Sequence, residues 1–365
     1  MKKGIIVVKV GTAVLTKGSG RLNDSRVRSI TAQICKLLEL GYKVILVSSG
    51  AIGAGMEALR LTQRPKQLAK LQACAAIGQG RLMKLYEESF RKKGTHAAQI
   101  LLTQEDFTDR KRFLNAKNTI LSLLNEFNSV PVINENDTIA TDEIRFGDND
   151  RLSSLVANLV GAHTLIMLTD VDGLCSLEDS KKAIPLVPHI SACEGLAKPT
   201  KGKLGTGGMI CKLDAAKMAV NSGITCIIAN GTTKDILLKI ENKEPVGTTF
   251  LPASTKTKAR KSWLAFAPKS KGSIIVDSGA KNALVTANKS LLPAGIKDVS
   301  GKFQAGDVVS ILGLSGEEFA KGVTRFSSDE LDKIKGLKTT QIENILKRKI
   351  THNEVIHRDN LVILQ

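Results

Sequence analysis

Aromatic side chains are scarce in this chain, at 4% of 365 residues with one Trp and two Tyr. Any packed interior must therefore be aliphatic, and a hydrophobic content of 42% is ample for one. No apolar run reaches the ~18 residues of a membrane helix, so no membrane partner is expected. The start, Met-Lys-Lys-Gly before Ile5-Ile-Val-Val8, is too short for a signal peptide and is interrupted by Lys9. Cysteine pairs at C-x-x-C spacing are missing. The six cysteines (35, 74, 175, 193, 211 and 226) are scattered through apolar and helical stretches, which points to packed, reduced thiols in a cytoplasmic protein. Five histidines form no metal-ligand pattern and H-E-x-x-H does not occur, so zinc is not expected.

Acidic charge is in short supply as well. With 53 Lys+Arg against 35 Asp+Glu the formal net charge is +18, which suits anionic partners or simply aids solubility. From residue 251 on there are 19 basic and 11 acidic residues, so the C-terminal part is the more basic per residue, a hint of RNA there. Against this background residues 134–151 stand out. Six acids fall in them: Glu135, Asp137, Asp142, Glu143, Asp148 and Asp150. The stretch follows a buried-strand run, Val130-Pro-Val-Ile133, and precedes a helical pattern at 152–160. Polar loops leaving the carboxyl ends of strands are where open α/β sheets bind ligands. A solvated acidic loop closed by an N-cap is the alternative.

Strand-like runs at 5–10, 44–47, 97–102, 130–133, 164–169 and 225–228 alternate with helical patterns near 24–40, 66–93, 113–127, 152–160 and up to Ser222. Such alternation predicts an α/β fold with a mostly parallel sheet sandwiched between helices. Pro245 to Arg260 has little periodicity and is the linker candidate. Beyond it, short strand-like pieces (274–276, 283–286, 308–312, 361–364) separated by glycines predict a small β-rich second domain. The expected division is 1–250, a linker at 251–270, and 271–365. In the second domain Trp263, Phe266, Phe303, Phe319 and Phe326 are few enough to be core.

Four places could do chemistry. Lys9 interrupts an apolar strand at its carboxyl end, and an unpartnered buried ammonium is costly, so its head must reach water, an acid or a bound anion. Gly11 beside it lets a phosphate approach the backbone. The Ser48–Gly55 stretch reads as a side-chain-poor loop after a strand, suited to offering N–H groups to anions, or to close packing. Gly205-Thr-Gly-Gly-Met-Ile-Cys-Lys212 leads glycines into a helix with a lysine in its first turns, which reads as a phosphate site or a bare turn; it is not G-x-x-x-x-G-K-[ST]. Thr169-Asp170-Val-Asp-Gly173 closes another strand, either against a nucleotide or as an Asx-type turn.

Taken in order, Val7-Val-Lys-Val-Gly-Thr12, Ser48-Ser-Gly-Ala-Ile52, Asn134-Glu-Asn-Asp137, Gly147-Asp-Asn-Asp150, Leu168-Thr-Asp170 with Asp172-Gly173, and Gly205-Thr-Gly-Gly-Met209 with Lys212 resemble the amino-acid kinase family, in its glutamate-phosphorylating branch. The tail resembles a PUA domain through Ser290–Ile296, Gly306–Val309 and Glu354–Asp359. The resemblance implies ATP-dependent phosphorylation of the side-chain carboxylate of L-glutamate to L-glutamyl 5-phosphate, opening proline biosynthesis. It implies catalytic roles for Lys9, Lys212 and Asp150, with Asp150 holding both lysines. Ser49, Asp137 and Asn149 would bind glutamate, Asp137 matching its ammonium, with Asn134 and Asp148 supporting that loop. Lys9, Gly11, Gly50, Thr169, Asp170, Thr206, Gly207, Gly208, Met209, Ile210, Cys211 and Lys212 would bind ATP. Mg²⁺ would ride on the phosphates with no dedicated protein ligands. Proline as feedback inhibitor, a homo-oligomer (dimer or tetramer), and hand-over to glutamyl phosphate reductase follow from the same likeness. Two departures stand out: Cys175 where the family usually has Tyr, and Ser176–Ser180 without the usual Asp-Pro pair, so the adenine contacts near 170–185 are carried over less far than the phosphate contacts. The alternative from a different class is an RNA-binding protein whose kinase-like part is inert.

Overall fold

The computed structural model describes residues 3–17, 21–107, 109–139, 148–175, 183–193, 208–252, 270–346, 348 and 353–364. The chain divides into two compact units, Met1–Lys256 and Thr257–Gln365.

In the first unit the elements run β1 (Ile5–Val10), α1 (Thr12–Leu15), α2 (Asp24–Glu39), β2 (Lys43–Ser48), α3 (Ala51–Ala58), α4 (Leu68–Arg91), β3 (His96–Leu102), α5 (Arg110–Glu126), β4 (Ser129–Glu135), α6 (Asp148–Val160), β5 (Thr164–Thr169), β6 (Leu186–Val187), α7 (Met209–Asn221), β7 (Thr225–Asn230), α8 (Ile236–Glu241) and β8 (Thr248–Phe250). The strands form one sheet in the order β3-β4-β2-β1-β5-β7-β8-β6. Every pairing is parallel except β7 with β8. The expected parallel α/β sheet is thus what the chain builds. From β1 the chain first winds toward β3, then returns to β5 on β1's other side. Right-handed crossovers therefore place α2 and α4 on one face of the sheet and α5, α6 and α7 on the other. The side chains of β1 alternate to match. Ile6, Val8 and Val10 pack with Ile30 and Ile34 of α2 and Leu82, Tyr86 and Phe90 of α4, while Lys9 points to the opposite face.

Several expectations shift. The helix expected from 152 starts at Asp148, because acids favour a helix N-terminus and the Asp-Asn-Asp run that reads as loop forms its first turn. The small-residue loop expected through Gly55 is a loop only at Ser49-Gly50, and Ala51–Ala58 is helical. Within the linker candidate Thr248–Phe250 is a strand, with Thr248 and Phe250 fully buried.

The second unit runs β9 (Gly272–Val276), α9 (Ser278–Val285), β10 (Ile296–Gly301), β11 (Val308–Leu312), β12 (Glu318–Val323), α10 (Ser328–Ile334), α11 (Ile342–Leu346) and β13 (Leu361–Ile363). Its sheet has the order β10-β9-β11-β12-β13, parallel only between β9 and β11. This is the β-rich domain expected. The piece 283–286 is not a strand, however: Asp277 accepts a hydrogen bond from the Ala280 N–H at 2.8 Å and opens a helix that ends at Val285. Phe303, Phe319 and Phe326 lie in the core with Ile274, Val309, Ile311 and Leu331; Trp263 and Phe266 lie outside the described residues.

Candidate active site

The crevice of interest lies beyond the carboxyl ends of β1, β2, β4 and β5, where the winding direction reverses around β1. Lys9 sits in a central strand, not an edge strand, and is 5% exposed. Asp150, in the first turn of α6, is 2% exposed, and Lys212, in the first turns of α7, is 7% exposed. The three side chains meet. Lys9 Nζ pairs with Asp150 Oδ1, and Lys212 Nζ donates to Asp150 Oδ2 at 3.1 Å. Burial alone would push the Asp150 carboxyl up, but the two ammonium groups outweigh it and hold the carboxyl below its usual range. The carboxylate thus stays ionised while each lysine keeps N–H donors that it does not use on Asp150.

Around this bridge the helices open without caps. Gly11, Gly50 and Gly208 are the N-cap residues of α1, α3 and α7, none makes a side-chain cap, and none of these helices has an acid in its first turn. Among the described hydrogen bonds no side chain takes their first N–H groups. Gly50 needs its glycine, with φ of +105°. At Gly11 a β-carbon would lie a tight 3.3 Å from the Leu168 carbonyl oxygen and in ordinary contact, 3.5 Å, with Lys9 Nζ.

A second cluster, of buried and half-buried neutral polar groups, borders the same strand ends. Asn149 Nδ2 donates to Ser49 Oγ at 2.9 Å, to Asn134 Oδ1 at 2.9 Å and to the Ser48 carbonyl at 3.3 Å. Asn134 Nδ2 donates to Gln79 Oε1 at 3.0 Å. Ser48 Oγ lies 2.8 Å from the Tyr86 hydroxyl, and burial pushes that phenol up, so it keeps its proton. Asn149 Oδ1 and Gln79 Nε2 are buried without a hydrogen-bond partner. Sequence reading missed Gln79 and Tyr86, and gave Ser48, though inside a motif, no role of its own. A usable signal was the Gly78/Gly80 pair flanking Gln79 in the middle of a helix. Gly78 is there because α3 touches α4: a β-carbon on it would fall 1.8 Å from the Ala51 carbonyl oxygen, and one on Gly55 1.8 Å from that of Cys74.

The remaining expected residues are placed as follows. Asp137 follows β4 and is half-buried; Asp148 begins α6. Thr169 ends β5, is 4% exposed, and donates to Asp170 Oδ1 at 3.0 Å. Met209, Ile210 and Cys211 form the first turn of α7, with Ile210 exposed. Thr206 and Gly207, like Asp142 and Glu143, lie outside the described residues. The described cysteines are all unpaired. Among the described residues no group of His, Cys, Asp and Glu could hold a metal, and no helix is long and apolar enough to cross a membrane.

Residues 4–230 match the amino acid kinase family. The chain belongs to that family. Within the amino acid kinase family it is similar to proteins named glutamate 5-kinase. The one from Caldanaerobacter subterraneus subsp. tengcongensis is 49% identical, over 99% of this chain and 98% of that protein. The one from Thermoanaerobacter sp. strain X514 is 47% identical over the same shares, and the one from Syntrophus aciditrophicus 44% over 99% and 94%. Residues 272–346 match the PUA domain, so the β-rich unit of this amino acid kinase carries the fold its motifs suggested.

Proposed function

We propose that the chain transfers the γ-phosphoryl group of ATP to the side-chain carboxylate of L-glutamate, giving L-glutamyl 5-phosphate, the first step of proline biosynthesis. The observation that carries this is the buried Lys9–Asp150–Lys212 bridge at the sheet's reversal point. A carboxylate acceptor is already an anionic oxygen, so no strong base is needed. The work is to bring two anions together and to offset the charge on the group in transit. Lys9 and Lys212, held apart by one carboxylate, flank that path and stabilise the transition state. Asp150 fixes their heads, so the lysines need not reorganise during transfer. The uncapped N–H groups after Gly11, Gly50 and Gly208 take phosphate oxygens. Thr169, Asp170 and residues 206–212 hold the nucleotide. Ser49, Asp137 and Asn149 hold glutamate, Asp137 taking its ammonium, with Asn134 and Asp148 behind them. The unpartnered Asn149 Oδ1 is a buried acceptor that an incoming N–H donor would satisfy.

When bound, Mg²⁺ supplies charge neutralisation on the β- and γ-phosphates. The site suits an ion carried by the nucleotide, since the Asp150 carboxylate is engaged on both oxygens by lysines.

From the family likeness we also take proline as an inhibitor near the glutamate site, an assembly of two or four copies, and delivery of the unstable acyl phosphate to a reductase in the cytoplasm. A coupled assay with ATP, Mg²⁺ and glutamate, with hydroxylamine to trap the acyl phosphate, tests the activity. ADP release with glutamate, accompanied by hydroxamate, and no ADP release with carbamate, N-acetylglutamate or UMP in glutamate's place, is the expected result. Turnover of one of those acceptors with glutamate inert would end this reading. The RNA-binding alternative predicts no turnover at all, and the complete ion bridge argues against it.

A further inference from the structure

Gln79 lies in none of the motifs that mark the family resemblance, and it sits deep in α4 at 8% exposure. We propose that Gln79 is a positioning residue that sets the orientation of the Asn134–Asn149 amide pair and, through it, the affinity for the acceptor substrate. The proposal rests on the reading that the Ser49–Asn149 surface binds that substrate.

The direction of the amide chain is forced at two points. The Glu135 backbone N–H can only donate, and it meets Asn134 Oδ1 at 2.9 Å. The Ser48 carbonyl can only accept, and it meets Asn149 Nδ2. Asn134 must therefore turn its oxygen toward Asn149 and its Nδ2 away, toward α4. There Gln79 Oε1 accepts that Nδ2. Without this acceptor the amide of a 2% exposed asparagine would keep a buried N–H with no partner, which costs more than the bond itself returns. Asn134 would relieve that cost by rotating, and in rotating it would leave Asn149 Nδ2 and the Glu135 N–H. Asn149 would then lose one of the contacts that aim it at Ser49.

The placement of Gln79 is itself fixed by main chain. The neighbouring residue, Gly78, lies against the Ala51 carbonyl oxygen and the Gly55 nitrogen of α3 with no room for a β-carbon. One turn pair further along the same helix, Tyr86 holds Ser48 Oγ, which in turn donates to the Ser49 carbonyl at 3.0 Å. The helix α4 thus contacts the acceptor side of the crevice twice, at both ends of the hydrogen-bond frame, and among the described hydrogen bonds it makes none to Lys9, Asp150 or Lys212.

The test uses steady-state kinetics on the full chain. Gln79→Met keeps length and removes the acceptor. It should raise KM for glutamate about tenfold, the effect of one buried hydrogen bond, and leave KM for ATP within about twofold. Gln79→Glu keeps an oxygen facing Asn134 Nδ2, and a buried carboxyl without a cation favours its neutral form, so its glutamate KM should stay within about fivefold of wild type. A methionine variant with a glutamate KM within about twofold of wild type would overturn the proposal. So would equal rises in both KM values, or a glutamate variant above the fivefold limit. Should the methionine variant fail to fold, the glutamate variant decides alone by the same limit. Failure of the underlying reading looks different: wild type itself would then show no saturable dependence on glutamate.

Discussion

Helices in this protein begin in two ways. Away from the crevice α2 and α5 begin on a side chain that closes the first turn, Asn23 accepting from the Arg26 N–H and Asp109 from the Arg112 N–H, while α4 and α8 begin at Gln67 and Asp235 without such a bond. In the PUA unit Asp277 does the same for α9, and Ser327 with Glu330 forms a reciprocal box at α10. At the crevice α1, α3 and α7 begin on glycines that close nothing. Helix ends normally satisfy their N–H groups locally, and doing so is worth about 1 kcal/mol. What sets the three crevice helices apart is that each starts on a glycine, with no side chain able to close the turn, and this is the feature the proposed anion site draws on.

That contrast can be tested by moving each feature across. The largest effect is expected for Lys212→Ala, which removes a cation proposed to face the phosphates but leaves Asp150 paired with Lys9. Turnover should fall by about 10³-fold while the melting temperature moves by only a few degrees; wild-type turnover in a folded variant would refute the role. Next comes Gly208→Ser, which installs a cap on α7 where the backbone is already extended (φ −72°, ψ 180°). The variant should gain about a few tenths of a kcal/mol of stability and lose about tenfold in turnover or ATP affinity, so a gain in both would break the contrast. The reverse exchange, Asp109→Ala or Asp277→Ala, should lose about 1 kcal/mol in denaturant unfolding with turnover unchanged below the transition. The smallest effect concerns acid. The Asp150 carboxyl is depressed below its ordinary 3.8 in the folded state. Its contribution is therefore complete above that value and is lost as pH falls from there through the depressed folded value. Below that ordinary value the unfolding free energy of wild type should fall more steeply with falling pH than that of Asp150→Asn, by up to about one proton's worth of slope.

How far the chain could be read in advance follows the same physics. Long amphipathic helices with side-chain caps were legible, as Asn23 before the Ile30/Ile34/Leu37 face of α2 shows. So were the buried parallel strands, which appear as runs such as Val44–Val47. Elements too short to show a period were not. Thr248–Phe250 has three residues, and the Ala-Leu-Val-Thr run at 283–286 suits strand and helix alike until the Asp277 cap is given weight. Strand β10 was hidden because most of its side chains face solvent. In the crevice the glycines and lysines announced an anion site singly. Their convergence on one carboxylate came from family resemblance, since nothing local ties residue 9 to residues 150 and 212. Gln79 was hidden because a glutamine inside a helix reads as surface.

The backbone contact between α3 and α4 has a consequence for divergence. Where Gly78 meets the Ala51 carbonyl oxygen and Gly55 meets that of Cys74, the separation of the two helices is set by atoms that every residue carries. A lineage can change the size of ordinary packing one methyl at a time, but it has no small step to take here. A descendant lacking either glycine must part the two helices in a single jump, and with α4 would go Gln79, which that helix holds against Asn134.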